Sequence, residues 1–183
     1  DASNERVRMF LFHSCFMHYR RQRDKTAGTI IFLLLWDQAQ KLGLFRNGRR
    51  PPIVTLALMG ACFLVHFYEY ELRHLLPFSL RIEDACIYGP AVLLGDWKRL
   101  LLAAFVHADD MHLYYNLVSL LWKGAHLEGR MGSLRFLILS FVMIILSHSL
   151  TVLAAFGLRE LGHPEHWRSC AGKPLVGRLR RLC

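Results

Sequence analysis

Three apolar stretches separated by polar, basic segments organise this chain. The first, from Pro51 to Tyr68, contains no charged residue. Its run IVTLALMGACFLVHFY predicts a helix opened by a Pro-Pro pair, a residue type tolerated in a first helical turn. The second begins near Met111 and runs to about Leu127, with Lys123 as its only charge, close enough to the end to snorkel. The third, Phe136 to Leu158, has 23 residues without a formal charge, enough to cross a hydrocarbon core that takes about 20 helical residues. The shorter patch Ile30–Trp36 cannot span. Residues 29–45 predict either an interfacial, amphipathic helix with Trp36 at headgroup level or a partly ordered cytosolic arm. Residues 69–106 predict a long connection broken by Pro77, Gly89, Pro90 and Gly95. Its short apolar pieces (75–80, 87–94 and 100–106) and the anchor-like Trp97-Lys98-Arg99 suit a segment half-buried at a membrane surface.

Composition strengthens the membrane reading. The chain is 54% hydrophobic with a mean hydropathy of +0.26, whereas soluble domains fall nearer 45–50% apolar. The fold class expected is all-α, a polytopic membrane helical bundle with about three spans. The formal charge of +9 lies in segments that flank the apolar runs, and no groove-reading motif accompanies it, so nucleic acid is not expected as a partner. Ten Lys or Arg precede residue 51 and three more lie in residues 123–135. Both segments are assigned to the cytosolic side, with a cytosolic N-terminus and a luminal 69–106 loop. Alternation then makes the tail luminal, although five Lys or Arg within residues 168–183 oppose that side. The five scattered cysteines argue against a disulfide framework. Met17, followed at once by His-Tyr-Arg-Arg, is a candidate true start.

The candidate chemistry lies where the second span begins, in His107-Ala-Asp-Asp-Met-His112-Leu-Tyr-Tyr-Asn116. His112 and Asn116, four apart, share one face of a helix. Polar groups at membrane depth are costly unless they face protein or a cavity, so they mark a site. They suit two roles: fixed N–H donors for the oxyanion of acyl transfer, or hydrogen bonds across helices. If one helix ran through both, His107 and His112 would point about 140° apart. That is wrong for a zinc motif with His at i and i+4, and no metal or cofactor is called for. Asp109-Asp110 predict an N-cap and a first-turn acid. His148, inside the third span, predicts a packed or interhelical hydrogen-bonding residue.

The run RLLLAAFVHADDMHLYYNLVSLLWKGAHLEGRMGS (Arg99–Ser133) resembles the signature of the rhomboid intramembrane serine proteases. In that family a basic-led loop precedes a His, a second His and an Asn that open the second span, and a Glu-x-Arg-x-Gly-Ser turn follows it. The N-terminal arm, the Pro-Pro start and the DWKRLLL and HADD details resemble the endoplasmic-reticulum rhomboid-domain-containing type. The resemblance implies that His112 and Asn116 stabilise an oxyanion and that His107 is a structural polar residue near the active-site mouth. It also implies that Glu128, Arg130 and Gly132 organise the turn after span two, and that residues 69–106 form a membrane-embedded loop shaping lateral substrate access.

Catalysis in that family uses a Ser from a G-x-S-G motif on a fourth span and a His base from a sixth. These 183 residues contain no G-x-S-G: after Arg168-Ser-Cys-Ala171 the chain reads Gly-Lys-Pro-Leu-Val-Gly-Arg-Leu-Arg-Arg-Leu-Cys. Lys173, Arg178, Arg180 and Arg181 would be costly at a bilayer centre. The expectation is a basic arm (1–50), a partial rhomboid-like membrane domain (51–170) and a divergent basic tail (171–183), truncated before the nucleophile and inactive alone. Its full-length relative would be a serine endopeptidase of the endoplasmic-reticulum membrane that cleaves transmembrane substrates. The alternative is a non-catalytic, client-binding or regulatory membrane protein. The partners expected are the lipid bilayer and transmembrane substrates or clients.

Overall fold

A computed structural model describes residues 25–44, 50–68, 72 and 82–163. Four longer helices form the body: α1 (Lys25–Lys41), α2 (Ile53–Phe67), α6 (Asp110–Met131) and α7 (Ser133–Glu160). Between α2 and α6 lie three short ones, α3 (Ile82–Ala85), α4 (Gly89–Leu93) and α5 (Arg99–Leu102), followed by a 3-10 turn over Ala103–Phe105.

The core follows from helical periodicity. Leu113, Leu117 and Leu121 recur every four residues on α6 and are essentially fully buried, meeting Met59 and Cys62 of α2 and Ile31, Leu35 and Ala39 of α1. Small residues permit the close crossing. A Cβ on Gly124 would lie 2.9 Å from Thr55 Cγ2 and Oγ1, so α2 and α6 could not approach this closely with any other residue there.

Helix α1 carries two apolar faces: Ile31, Leu35 and Ala39 pack into the bundle, while Ile30, Phe32, Leu33, Leu34 and Trp36 are exposed. Gly28 at its start abuts the Phe67 ring, while near its end Gln38 Oε1 accepts from Trp122 Nε1 of α6 at 3.2 Å. Helix α1 therefore runs antiparallel to α2. Residue 25 lies at the end of the bundle opposite residues 44 and 50.

Helix α7 is long and apolar enough to cross a membrane, with 28 residues and a mean hydropathy of 2.3 over its apolar window. Most of that window faces outward, as lipid contact requires. Helix α2 is apolar but has 15 residues, about 22 Å at 1.5 Å per residue, and α6 is interrupted by polar groups. The expected short apolar pieces at 87–94 and 100–106 become α4, α5 and the 3-10 turn. Ile87, Val92 and Leu100 pack on Val152 of α7, and His148 Nδ1–H donates to the Leu100 carbonyl at 2.6 Å. Arg99 Nε donates to Asp96 Oδ2 at 2.8 Å and Arg99 Nη1 to the Cys86 carbonyl at 3.1 Å, tying α5 to the turn before α4. Cys62 is a buried free thiol. Cys86 is disulfide-bonded, a bridge the cysteine spacing did not foretell because separation along the chain does not report distance in space. Residues 75–80, the start at Met17 and the 171–183 tail lie outside the described residues.

Candidate functional site

Both ends of α6 carry polar structure. At its start, Asp109 is the N-cap, with an extended backbone (φ −149°) and a side chain accepting from the His112 N–H at 2.8 Å. Asp110 follows in the first turn, where a negative charge suits the helix dipole. It does more than sequence suggested: its Oδ1 lies 2.7 Å from His66 Nε2 on α2. A carboxylate can only accept, so Nε2 carries the proton. The His66 side chain is fully buried, whereas Asp110 is partly open to solvent. His66 was missed in the sequence, although a histidine near the end of an uncharged span is the kind of polar group that signals a partner.

His107 is buried, and its Nδ1 lies 3.3 Å from the Phe105 carbonyl. Its ring centroid is 5.3 Å from that of His112 and 6.4 Å from that of His66. The helical-phase argument that kept His107 and His112 apart does not hold, because α6 starts at Asp110. His107 sits before the cap and is free of helical phase, so its ring turns back toward His112. His112 and Asn116 lie on one face of α6, and both are exposed, opposite the buried Leu113, Leu117 and Leu121. Ser119 and Lys123 extend the same exposed polar face. This face can present N–H donors to an anionic oxygen. Among the described residues no serine hydroxyl is hydrogen-bonded to a histidine, so no nucleophile–base pair is assembled there.

At the other end, Glu128 joins three helices. Its Oε1 accepts from the Val54 N–H at 3.0 Å and the Ser133 hydroxyl at 2.7 Å. Its Oε2 accepts from the Thr55 N–H and the Thr55 hydroxyl, both at 2.8 Å. Helix α2 begins at Pro52 with no side-chain cap of its own. Glu128, 73 residues away, satisfies amides of its first turn instead. The carboxyl lies one residue past the expected span. Burial pushes its pKa up, but the bonds from Ser133, Thr55 and Val54 outweigh this and hold it below the ordinary carboxyl value. The expected six-residue turn contracts to Gly132 alone, at φ +85° and ψ 155°, a conformation open essentially to glycine. Arg130 is exposed and lines a cavity at this end. The structure thus separates the sequence-marked residues into two groups: His107, His112 and Asn116 at the start of α6, and Glu128, Arg130 and Gly132 at its end.

A bundle of apolar helices, with a lipid-length helix facing outward and polar groups held at helix ends, defines a helical integral membrane protein. A rhomboid-domain model matches residues 94–173. The chain is 44% identical over 153 residues to Rhomboid-related protein 4 of Homo sapiens, covering 83% of this chain and 44% of that protein. It is 37% identical over 116 residues to the mitochondrial Rhomboid-like protein 14 of Arabidopsis thaliana, covering 62% of this chain and 33% of that protein. It is 31% identical over 93 residues to Rhomboid protease GlpG of an Enterobacter species, covering 51% of this chain and 32% of that protein. No solved structure matches at a significant level. The chain belongs to the rhomboid family. It spans less than half the length of the Rhomboid-related protein 4 sequences it matches.

Proposed function

We propose that these residues form the oxyanion-binding part of a rhomboid serine endopeptidase that cleaves transmembrane substrates in the endoplasmic-reticulum membrane. His112 and Asn116 act as oxyanion donors and His107 as a structural neighbour; Glu128, Arg130 and Gly132 set the turn between α6 and α7. The observation that carries the reading is the outward polar face of α6. A histidine and an asparagine on the first two turns of a bundle helix are costly in lipid unless further protein covers them, and the remainder of a rhomboid domain would do so. The Enterobacter relative is named as a rhomboid protease, which supports the same chemistry. No G-x-S-G motif occurs in these 183 residues, so on this reading they supply oxyanion donors and no serine nucleophile of their own. The end of the bundle bearing Arg50 and Arg130 faces the cytosol and the His107–Asn116 end faces the lumen.

Two measurements test this. The purified chain is treated with a fluorophosphonate probe, and no serine is labelled; a covalent adduct overturns that part of the reading. Residues 1–170 are then fused to the complementary C-terminal part of Rhomboid-related protein 4 and assayed on a transmembrane reporter. His112→Ala and Asn116→Ala each lower turnover roughly 10²–10³-fold, the cost of one oxyanion donor, and unchanged turnover sinks the assignment. The competing reading, a non-catalytic module that holds client spans, draws on the outward apolar face of α7. It predicts crosslinks from the chain to single-pass membrane proteins that disappear on polar substitution of that face.

A further inference from the structure

We propose that the chain carries a binding site for the headgroup of an anionic glycerophospholipid at the α6–α7 turn. This goes beyond the proteolytic reading and depends only on the chain sitting in a membrane. A cavity of about 630 Å³ opens where the end of α1, the start of α2 and the α6–α7 turn meet, within the range of pockets that hold small ligands. Its charged walls are Arg50, Arg130 and Glu128. Glu128 is buried with both oxygens engaged by α2 and Ser133. Arg50 and Arg130 are exposed, and neither makes an ion pair among the described residues. The cavity is therefore positive and has guanidinium donors available, which favour phosphate through paired N–H bonds.

A second feature adds to this. Helix α7, 28 residues long, starts at Gly132 with no side-chain cap, and Gly132 and Ser133 both line the cavity. The positive end of that helix adds to the attraction for an anion.

The apolar part of the wall distinguishes a lipid from a soluble phosphate. Leu42, Leu44, Pro51 and Pro52 line the same cavity, with Trp122 beside them. The outward face of α7 continues from the turn through Leu134 and Ile138, 71% and 56% exposed. A ligand with an anionic head and an apolar body fits this sequence of surfaces. A tryptophan at the mouth also suits the depth at which headgroups lie, and basic pockets at helix ends are where such headgroups bind.

The test uses the full 183-residue chain purified in a neutral detergent, with lipid adducts measured by native mass spectrometry. Dioctanoyl phosphatidic acid should bind with at least tenfold preference over dioctanoyl phosphatidylcholine. Arg50→Gln and Arg130→Gln should each weaken it roughly 5-fold, the worth of one basic residue near an anionic surface, and the double variant roughly 25-fold. Arg159→Gln, the same charge change at the opposite end of α7, should stay within twofold, and all variants should keep the wild-type circular dichroism. Equal binding of the two lipids, an equal loss in Arg159→Gln, or no loss in the double variant overturns the proposal. Glycerol 3-phosphate competing as well as the lipid overturns the lipid assignment in favour of a soluble phosphate.

Discussion

Replacing Glu128 by Gln removes the contact that holds the starts of α2 and α7 against the end of α6. The carboxylate accepts four hydrogen bonds, from Val54 N, Thr55 N, Thr55 Oγ1 and Ser133 Oγ, between 2.7 and 3.0 Å. Bonds to a charged acceptor contribute about 1.5–3 kcal/mol each, and the desolvation of the carboxylate offsets part of the sum. A glutamine keeps one acceptor oxygen and turns an NH₂ toward donors that need an acceptor, so one of the two α2 amides, Val54 or Thr55, loses its partner. The expected loss is about 3–5 kcal/mol. It is read from unfolding in mixed detergent micelles followed by far-ultraviolet circular dichroism. Thr55→Val, which removes only the hydroxyl bond, should cost about 1 kcal/mol, and the pair of substitutions should be strongly non-additive. The pH dependence provides a separate check. The folded carboxyl is held below its ordinary value of 4.5, so the folded state binds the proton more weakly than the unfolded state. Its stabilisation is complete above pH 4.5 and is lost as pH falls through the lower folded value. Glu128→Gln should lack that acid limb. A Gln variant within 0.5 kcal/mol of wild type, roughly the scatter of a surface change, refutes the role of Glu128 as a remote cap.

Gly132→Ala should destabilise by about 1–3 kcal/mol, measured in the same detergent titration. No atom crowds the added Cβ, so the whole effect is backbone strain, and a neutral result would mean the turn relaxes to another conformation. Gly124→Ala should cost about 1–3 kcal/mol by overpacking against Thr55, and Thr55→Ser, which removes Cγ2, should recover part of it in the double variant. His66→Leu should loosen the start of α6 by removing the 2.7 Å contact to Asp110. Hydrogen exchange at residues 110–114 should accelerate, and unchanged protection there would show that the contact does not hold the helix start.

Much of the chain was legible before any tertiary contact. Helices α2 and α7 form over the two apolar runs without charges, and Asp109 caps α6 because a short acid before an apolar-periodic segment is what a helix start requires. The family pattern in Arg99–Ser133 was legible because it depends on residue identities in order. The phase of His107 was misjudged for a specific reason: the angle between two residues follows from spacing only while both are helical, and the helix begins three residues after His107.

The sequence by itself determined the composition of a membrane bundle, the positions of its apolar helices, the cap of α6 and the family to which the chain belongs. Each depends on local periodicity, cap chemistry or order along the chain. Only the tertiary structure decided which distant groups meet. His66 finds Asp110 across 44 residues, His148 finds the Leu100 carbonyl across 48, and Glu128 caps a helix 73 residues away. The direction of α1 was likewise visible only in space, where Gly28 abuts Phe67 and Gln38 meets Trp122. Such pairings follow from helix crossing geometry, and the positions of polar residues along a chain do not encode it.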